Sequence, residues 1–491
     1  MSSRGPVVQP MDPYNQELLS NVHPPDWKNP EPLERYNLVV IGAGPAGLVT
    51  AAGAARLGAR VALVERRLMG GDCLNVGCVP SKLLINASRS PEFQNDFPAA
   101  MERLRRIRAR ISAHDSARRF QSLGVDVFLG RAQLIARDQV QVDGRTLRFK
   151  KAVIATGTRP FEPPIEGLPE AGYLTNETVF DLTERPPRLM VIGGGPIGCE
   201  LAQAFRRLGS QITIVEMESQ FLLREDPDAA HLLAEVFKRE GIKVRLSTKA
   251  KRVARTKSGQ RVFLEKEGHE EVVDVDAILV SVGRIPNIEG LGLETAGIQY
   301  DEKGIRVNDR LQTSNASIYA AGDICSPYKF THMADAAARI VIQNALFRGR
   351  KRFSSLIVPW CTYTDPEIAH VGMYERDARK KGIAVRTFQI PLNEIDRAII
   401  EGEDQGFVKV HVRDGTDKIL GATIVAAHAG DLISEFSLAM TAGTGLSKMA
   451  NVIHPYPTQA EAIRKAGDAY NRTRLSPLIK KIFSAWLSWT R

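Results

Sequence analysis

The chain has 491 residues, 43% hydrophobic and 25% charged, with 40 glycines and five cysteines. This composition excludes a disordered tail, a collagen-like repeat and a small disulfide-stapled scaffold, and the length allows about three domains. The net charge of +10 invites a nucleic-acid partner, but no zinc-finger spacing, aromatic RNA-binding motif or arginine-rich tail accompanies it, so none is expected.

Residues 1–35, dense in Pro, Asn and charge, read as an extended N-terminal arm without the apolar region of a secretory signal. No apolar run is long enough to span a membrane. Few cysteines in a long chain favour a reducing, cytoplasmic setting. At Leu38-Val39-Val40-Ile41 the pattern changes to a short apolar strand, followed by Gly42-Ala43-Gly44-Pro45-Ala46-Gly47, a helix, and a second strand ending at Glu65. This is a strand–helix–strand unit with a dinucleotide fingerprint. Its glycines permit a tight turn, approach of pyrophosphate to the backbone, and close helix–strand packing.

Next comes Gly70-Gly71-Asp72-Cys73-Leu74-Asn75-Val76-Gly77-Cys78-Val79-Pro80-Ser81-Lys82. Two cysteines at this spacing can meet at a helix start, where the helix dipole favours a thiolate. The densest basic run, Arg103, Arg105, Arg106, Arg108 and Arg110, reads as a solvated helix face or an attraction for anionic cofactors. An apolar strand then ends in Ala155-Thr156-Gly157.

The device repeats. Leu189–Ile192 leads into Gly193-Gly194-Gly195-Pro196-Ile197-Gly198, and the following strand closes with Glu216 at the same distance from its first glycine as Glu65. Two copies in register, each with its ribose-binding acid, are a strong signal. A second apolar strand ends at Gly283, and a third such segment, Ile318–Asp323, sets a carboxylate at a strand end. Beyond about residue 359, short strands alternate with helical patterns without a fingerprint. Cys199, Cys325 and Cys361 are isolated and read as packing residues. Residues 477–491 form an amphipathic helix: Leu478, Ile479, Ile482, Phe483, Trp486 and Leu487 face Lys480, Lys481, Ser484 and Ser488. It suits docking onto a partner subunit or its own domain ahead of peripheral contact with an anionic membrane.

These motifs together, GGDCLNVGCVPSK, the paired fingerprints, ATG at 155–157, VGRIPN at 282–287 and YAAGD at 319–323, resemble the class I pyridine nucleotide-disulfide oxidoreductases. In fine detail they look most like mercuric-reductase-like members. The resemblance covers residues 36–475. It implies an α/β fold with two Rossmann-like dinucleotide-binding domains and a C-terminal α+β dimerisation domain. The boundaries would be 36–160 (FAD, with the redox dithiol), 161–288 (NAD(P)), 289–356 (FAD, second part) and 357–475 (dimerisation), with 476–491 as the terminal helix.

The resemblance also assigns roles. Gly42, Gly44, Gly47, Glu65, Thr156, Gly157 and Asp323 would hold FAD. Gly193, Gly195, Gly198, Glu216 and Gly283 would hold the nicotinamide dinucleotide. Cys78 would be the charge-transfer thiolate, Cys73 the exchanging thiol, and Lys82, near the flavin, would pair with Glu200. Electrons would pass from NAD(P)H through FAD to the Cys73–Cys78 disulfide and on to an acceptor, in a homodimer. No resident metal is implied.

The family's dithiol-reducing members carry a histidine before Pro-Thr, with a glutamate beyond it. Here Tyr456 takes the histidine's place, Glu461 keeps the glutamate's, and His454 lies two residues earlier. Tyr456 resembles mercuric reductases and argues against glutathione reductase and dihydrolipoyl dehydrogenase. However, no cysteine precedes Cys73 or follows Cys361, so the cysteine relays of mercuric reductases are missing. Dihydrolipoyl dehydrogenase or another disulfide or quinone reductase is the alternative. An FAD-binding redox sensor or scaffold is the non-enzymatic one, disfavoured by the retained dithiol. Glu216 favours NADH over NADPH.

Overall fold

The computed structural model describes residues 8–94 and 96–491. The chain divides into two compact units: one runs to Ser219 and resumes over Glu240–Leu356, the other comprises Gln220–Arg239 and Ile357–Arg491.

The first unit is built on two mainly parallel sheets. In one, Tyr36–Ile41 pairs in parallel with Val61–Glu65 and with Arg145–Ile154, and Val61–Glu65 continues to Val125–Leu129. Ile318–Ala320 returns from far along the chain to pair with Ala152–Ile154. The sheet started at Tyr36 is therefore completed only after the second fingerprint unit. Strands covered on both faces read as unbroken apolar runs. Alternate residues feed two cores: Leu38, Val40, Leu63 and Val153 face one side, and Val39, Ile41, Val64 and Ile154 the other.

The second sheet repeats the plan with Lys243–Arg245, Gln211–Val215, Arg188–Ile192 and Ala277–Val280, all parallel. A three-stranded antiparallel sheet, Lys249–Thr256, Gly259–Lys266 and His269–Val275, is inserted before its last strand.

The second unit is an antiparallel five-stranded sheet in the order Pro359–Thr362, Glu367–Gly372, Ile419–Ala426, Phe407–Arg413, Val385–Pro391. Helices Ala429–Thr441 and Glu461–Thr473 contribute Phe436 and Ile463 to its core. It also takes in Pro227–Arg239, which the expected 161–288 boundary had given to the NAD(P) domain. The reason is polar: Glu225 accepts from the Trp360 indole and the Tyr374 hydroxyl, and Lys409 is buried between Asp226 and Asp228.

Two further expectations are corrected. The arm at 1–35, whose first seven residues lie outside the described ones, is not extended throughout. Pro13–Val22 is a helix, capped by Asp12, with Asn15, Leu18 and Val22 buried. The basic run does lie on a helix, Phe97–Ser112, but Arg105 and Arg108 are buried rather than solvated. Arg108 donates to the Asn15 side chain and to the Asn75 carbonyl, so it joins the N-terminal helix to the dithiol segment.

Candidate functional site

The two fingerprints have the same atomic construction. Gly42 and Gly193 adopt φ of 102° and 105°, a region that side chains avoid. A side chain at Gly47 or Gly198 would collide with the carbonyl of Gly42 or Gly193 respectively. At Gly195 no atom of the described residues lies within 4 Å of where a Cβ would stand, and at Gly44 the nearest is 3.8 Å away. That open side is where a pyrophosphate would approach, at the first turns of helices Pro45–Arg56 and Pro196–Arg207. Each acid is held alike. Glu65 accepts from the backbone N–H of Ala43 (2.7 Å) and Arg67 (2.8 Å). Glu216 accepts from Gly194 (2.7 Å) and Glu218 (3.0 Å). The cradles fit two dinucleotides.

Helix Gly71–Asn75 carries Cys73, and Cys78 opens helix Cys78–Arg89. Both are free thiols. Cys78 is pulled down to about 6, chiefly by the hydrogen bond from Cys73; the Thr331 hydroxyl and the Lys82 ammonium also favour its thiolate, while the protein crowding round it opposes this. Cys73 is pushed up by the same hydrogen bond, then by burial. Thr331 Oγ1 lies 3.4 Å from Cys78 Sγ. Lys82 Nζ donates to Glu200 Oε2 at 2.8 Å, and Glu200 is buried. A low-pKa sulfur beside a cation is a nucleophile or a soft-metal ligand at neutral pH.

The strand ends named from the sequence converge nearby. Thr156 Oγ1 donates to the Asn287 carbonyl, and Asn287 Nδ2 donates back to Thr156 O. Gly157 accepts from Asn287 N at 3.0 Å, and Gly283 accepts from Phe161 N at 3.0 Å. Burial raises the pKa of Asp323, and the Arg284 charge opposes that rise. Thr158 Oγ1 donates to Asp323 at 3.3 Å, and the Arg284 guanidinium donates to Thr158 Oγ1 (2.7 Å) and to Asp72. Arg284 and Thr331 were missed in the sequence. Arg284 stood within VGRIPN, from which only Gly283 was taken, whereas Thr331 left no local mark.

Tyr456, His454 and Glu461 lie in the second unit, each engaged with a different hydrogen-bond or ion-pair partner. Tyr456 is 73% exposed and its hydroxyl donates to Asp396 at 2.8 Å, which raises its pKa. Glu461 is engaged with Arg464 at 2.9 Å. His454 Nε2 lies 3.1 Å from Glu435 Oε2, and its Nδ1 is buried without a hydrogen-bond partner. Among the described residues no cluster of three or more His, Cys, Asp or Glu could hold a metal ion.

A family model described as pyridine nucleotide-disulphide oxidoreductase matches residues 36–338, and its dimerisation-domain model matches 358–467. Similar proteins include a mercuric reductase of Staphylococcus aureus, 34% identical and covering 89% of this chain and 83% of its own length. A dihydrolipoyl dehydrogenase of Thermus scotoductus is 36% identical over 90% and 98% of the two chains. The solved HOCl-induced flavoprotein disulfide reductase RclA of Escherichia coli, in its Cu(II) complex, superposes with a TM-score of 0.81 at 30% identity, over 87% of this chain and 98% of that one.

Proposed function

The chain belongs to the pyridine nucleotide-disulphide oxidoreductase family, whose members use FAD and a pyridine nucleotide, and from that premise we propose that it is an NADH-dependent, homodimeric reductase of a thiophilic metal ion, with mercury(II) as the representative acceptor. Written out, NADH and Hg(II) give NAD⁺, Hg(0) and a proton. FAD, when bound, supplies the hydride acceptor for the nicotinamide and returns two electrons to the sulfur pair. The chain's own residues do the rest. The Gly42–Gly47 and Gly193–Gly198 turns bind the two pyrophosphates, and Glu65 and Glu216 the riboses. Cys73 holds the proton that leaves Cys78 as thiolate, and Lys82, fixed by Glu200, steadies that charge.

Tyr456 carries the choice of acceptor. A disulfide acceptor needs a proton delivered to its leaving thiolate, and a general acid gives roughly 10²–10⁴-fold there. A phenol, ordinarily near pKa ~10 and here raised further by Asp396, performs that poorly near neutrality. A metal ion needs thiolate ligands and no such proton. Relatives named as mercuric reductase and a Cu(II)-bound flavoprotein reductase support the same direction. Glu216, followed by Glu218, supports NADH, since carboxylates accept from a free 2′-hydroxyl and repel a 2′-phosphate.

The second reading, dihydrolipoyl dehydrogenase, is favoured by the relative of that name and by His454, which is held by Glu435 in a histidine–carboxylate pair of the kind that serves acid–base chemistry. NADH oxidation measured against Hg(II) over a range of added thiol, alongside lipoamide and glutathione disulfide, separates the two. Hg(II) as a weakly chelated salt should be reduced, with strong slowing by excess thiol. Tyr456→His should raise disulfide turnover. Fast lipoamide turnover by the wild type, with no Hg(II) activity at any thiol level, would restore the second reading.

A further inference from the structure

Helix Glu461–Thr473 buries Ala462, Ile463, Ala466 and Gly467 against the second unit's core. Three residues later the chain starts another helix, Pro477–Trp489, and buries nothing on it. This helix is well formed in its own right: Ser476 caps it by accepting from the Ile479 backbone N–H, and Pro477 occupies its first turn. It nonetheless displays Leu478, Ile482, Phe483, Trp486, Leu487 and Trp489 to solvent, with Trp486 at 59% and Trp489 at 78% exposure. Scattered exposed apolar residues need no explanation, but a continuous patch of this kind marks an interface. Of the two docking sites favoured above on the sequence, a partner subunit or its own domain, the latter finds no support in a helix without a buried residue.

We propose that helix Pro477–Trp489 seats the protein on the surface of an anionic phospholipid bilayer. Charge chooses the occupant. Between residues 469 and 491 the chain has Arg472, Arg474, Lys480, Lys481 and Arg491 and no acidic side chain. Helical periodicity sets Lys480 and Lys481 on opposite borders of the apolar face, where their stems lie along lipid and their ammonium groups reach phosphate. Such a segment attracts a negative surface. The apolar face spans about half the helix circumference, broader than the narrow seam of a coiled coil, and suits a lipid boundary. Trp486 and Trp489, with ring centroids 5.4 Å apart, are the side chains that settle at headgroup depth. Among the described residues no helix is long and apolar enough to cross the membrane, so the contact is peripheral.

Flotation of the FAD-loaded full chain tests this, using phosphatidylcholine vesicles with and without phosphatidylglycerol. Binding to the anionic vesicles should exceed binding to neutral ones by roughly tenfold and fall with salt. The double variant Lys480→Glu/Lys481→Glu should lose it, as should Trp486→Ser/Trp489→Ser. A chain ending at Leu475 should no longer float, yet keep its flavin absorbance, its melting temperature and its oligomeric size. Equal binding to both vesicle types, or none, overturns the proposal. So does a change in oligomeric size on truncation, which would make the helix a subunit contact. None of these readouts depends on the electron acceptor.

Discussion

At the scale of single residues, the site turns on which of two thiols ionises. The Cys73 hydrogen bond and the Lys82 ammonium both favour the Cys78 thiolate, so in the reduced protein that thiolate is present above about pH 6 and is lost as pH falls through that value. Alkylation of Cys78 followed by mass spectrometry should show this midpoint, and Lys82→Met should move it upward; an unmoved midpoint would remove Lys82 from the account. In the FAD-loaded protein, Cys78→Ser should abolish the long-wavelength thiolate–flavin band while flavin stays bound, because the cradle lies on other residues. Coenzyme choice is a second single-residue matter. The wild type should show higher kcat/KM for NADH, and Glu216→Ala should narrow the gap by removing the carboxylate that a 2′-phosphate must face. A wild-type preference for NADPH would refute the reading of Glu216.

At the scale of elements, the N-terminal helix supports the dithiol segment through one buried guanidinium. Arg108 reaches Asn15 at 2.8 Å and the Asn75 carbonyl at 2.7 Å, and burial brings its pKa down to about 10. Asn15→Ala strips a partner from a buried charge and should lower stability in urea unfolding by ~1–3 kcal/mol. Exposed Arg106→Ala on the same helix should stay within about 0.5 kcal/mol; equal effects would show the junction to be inert. This junction also marks what could and could not be read from the sequence. The fingerprints were legible because their requirements are local: a positive φ, a missing Cβ and an acid in register all leave fixed residue types. Helix Pro13–Val22 had a local signal too, an aspartate cap before proline with Leu18 and Val22 one turn apart, but the prolines from Pro24 to Pro32 outweighed it. Burial of Arg105 and Arg108, the placing of Thr331 beside Cys78, and the transfer of Pro227–Arg239 to the second unit all depend on partners distant in the chain. No local pattern encodes those.

At the scale of the whole molecule, the second unit exposes apolar side chains that a dimerisation domain accounts for. Ile453 is 95% exposed beside the Tyr456 loop, and Ile400 and Leu438 are 70% and 68% exposed. On the surface of a monomer such residues have no stabilising role, whereas in an isologous interface each would be covered twice over by symmetry. The family resemblance adds a functional reason: the Tyr456–Glu461 segment would serve the dithiol of the other chain, so a lone subunit would hold only half of each site. On that reading, reduction of the dithiol by NADH would need residues of the first unit alone, while transfer to the acceptor would need both chains. Ile453→Arg, and independently Leu438→Arg to separate interface from loop effects, should therefore give monomers by light scattering. Stopped-flow reduction of these monomers by NADH should proceed at near wild-type rate, with steady-state turnover of every acceptor falling ~100-fold, because the partner's segment that would position the acceptor is lost. The same split should appear in the wild type on dilution below its dimer dissociation constant. A monomer that turns over acceptor at the wild-type rate would show each site to be complete within one chain.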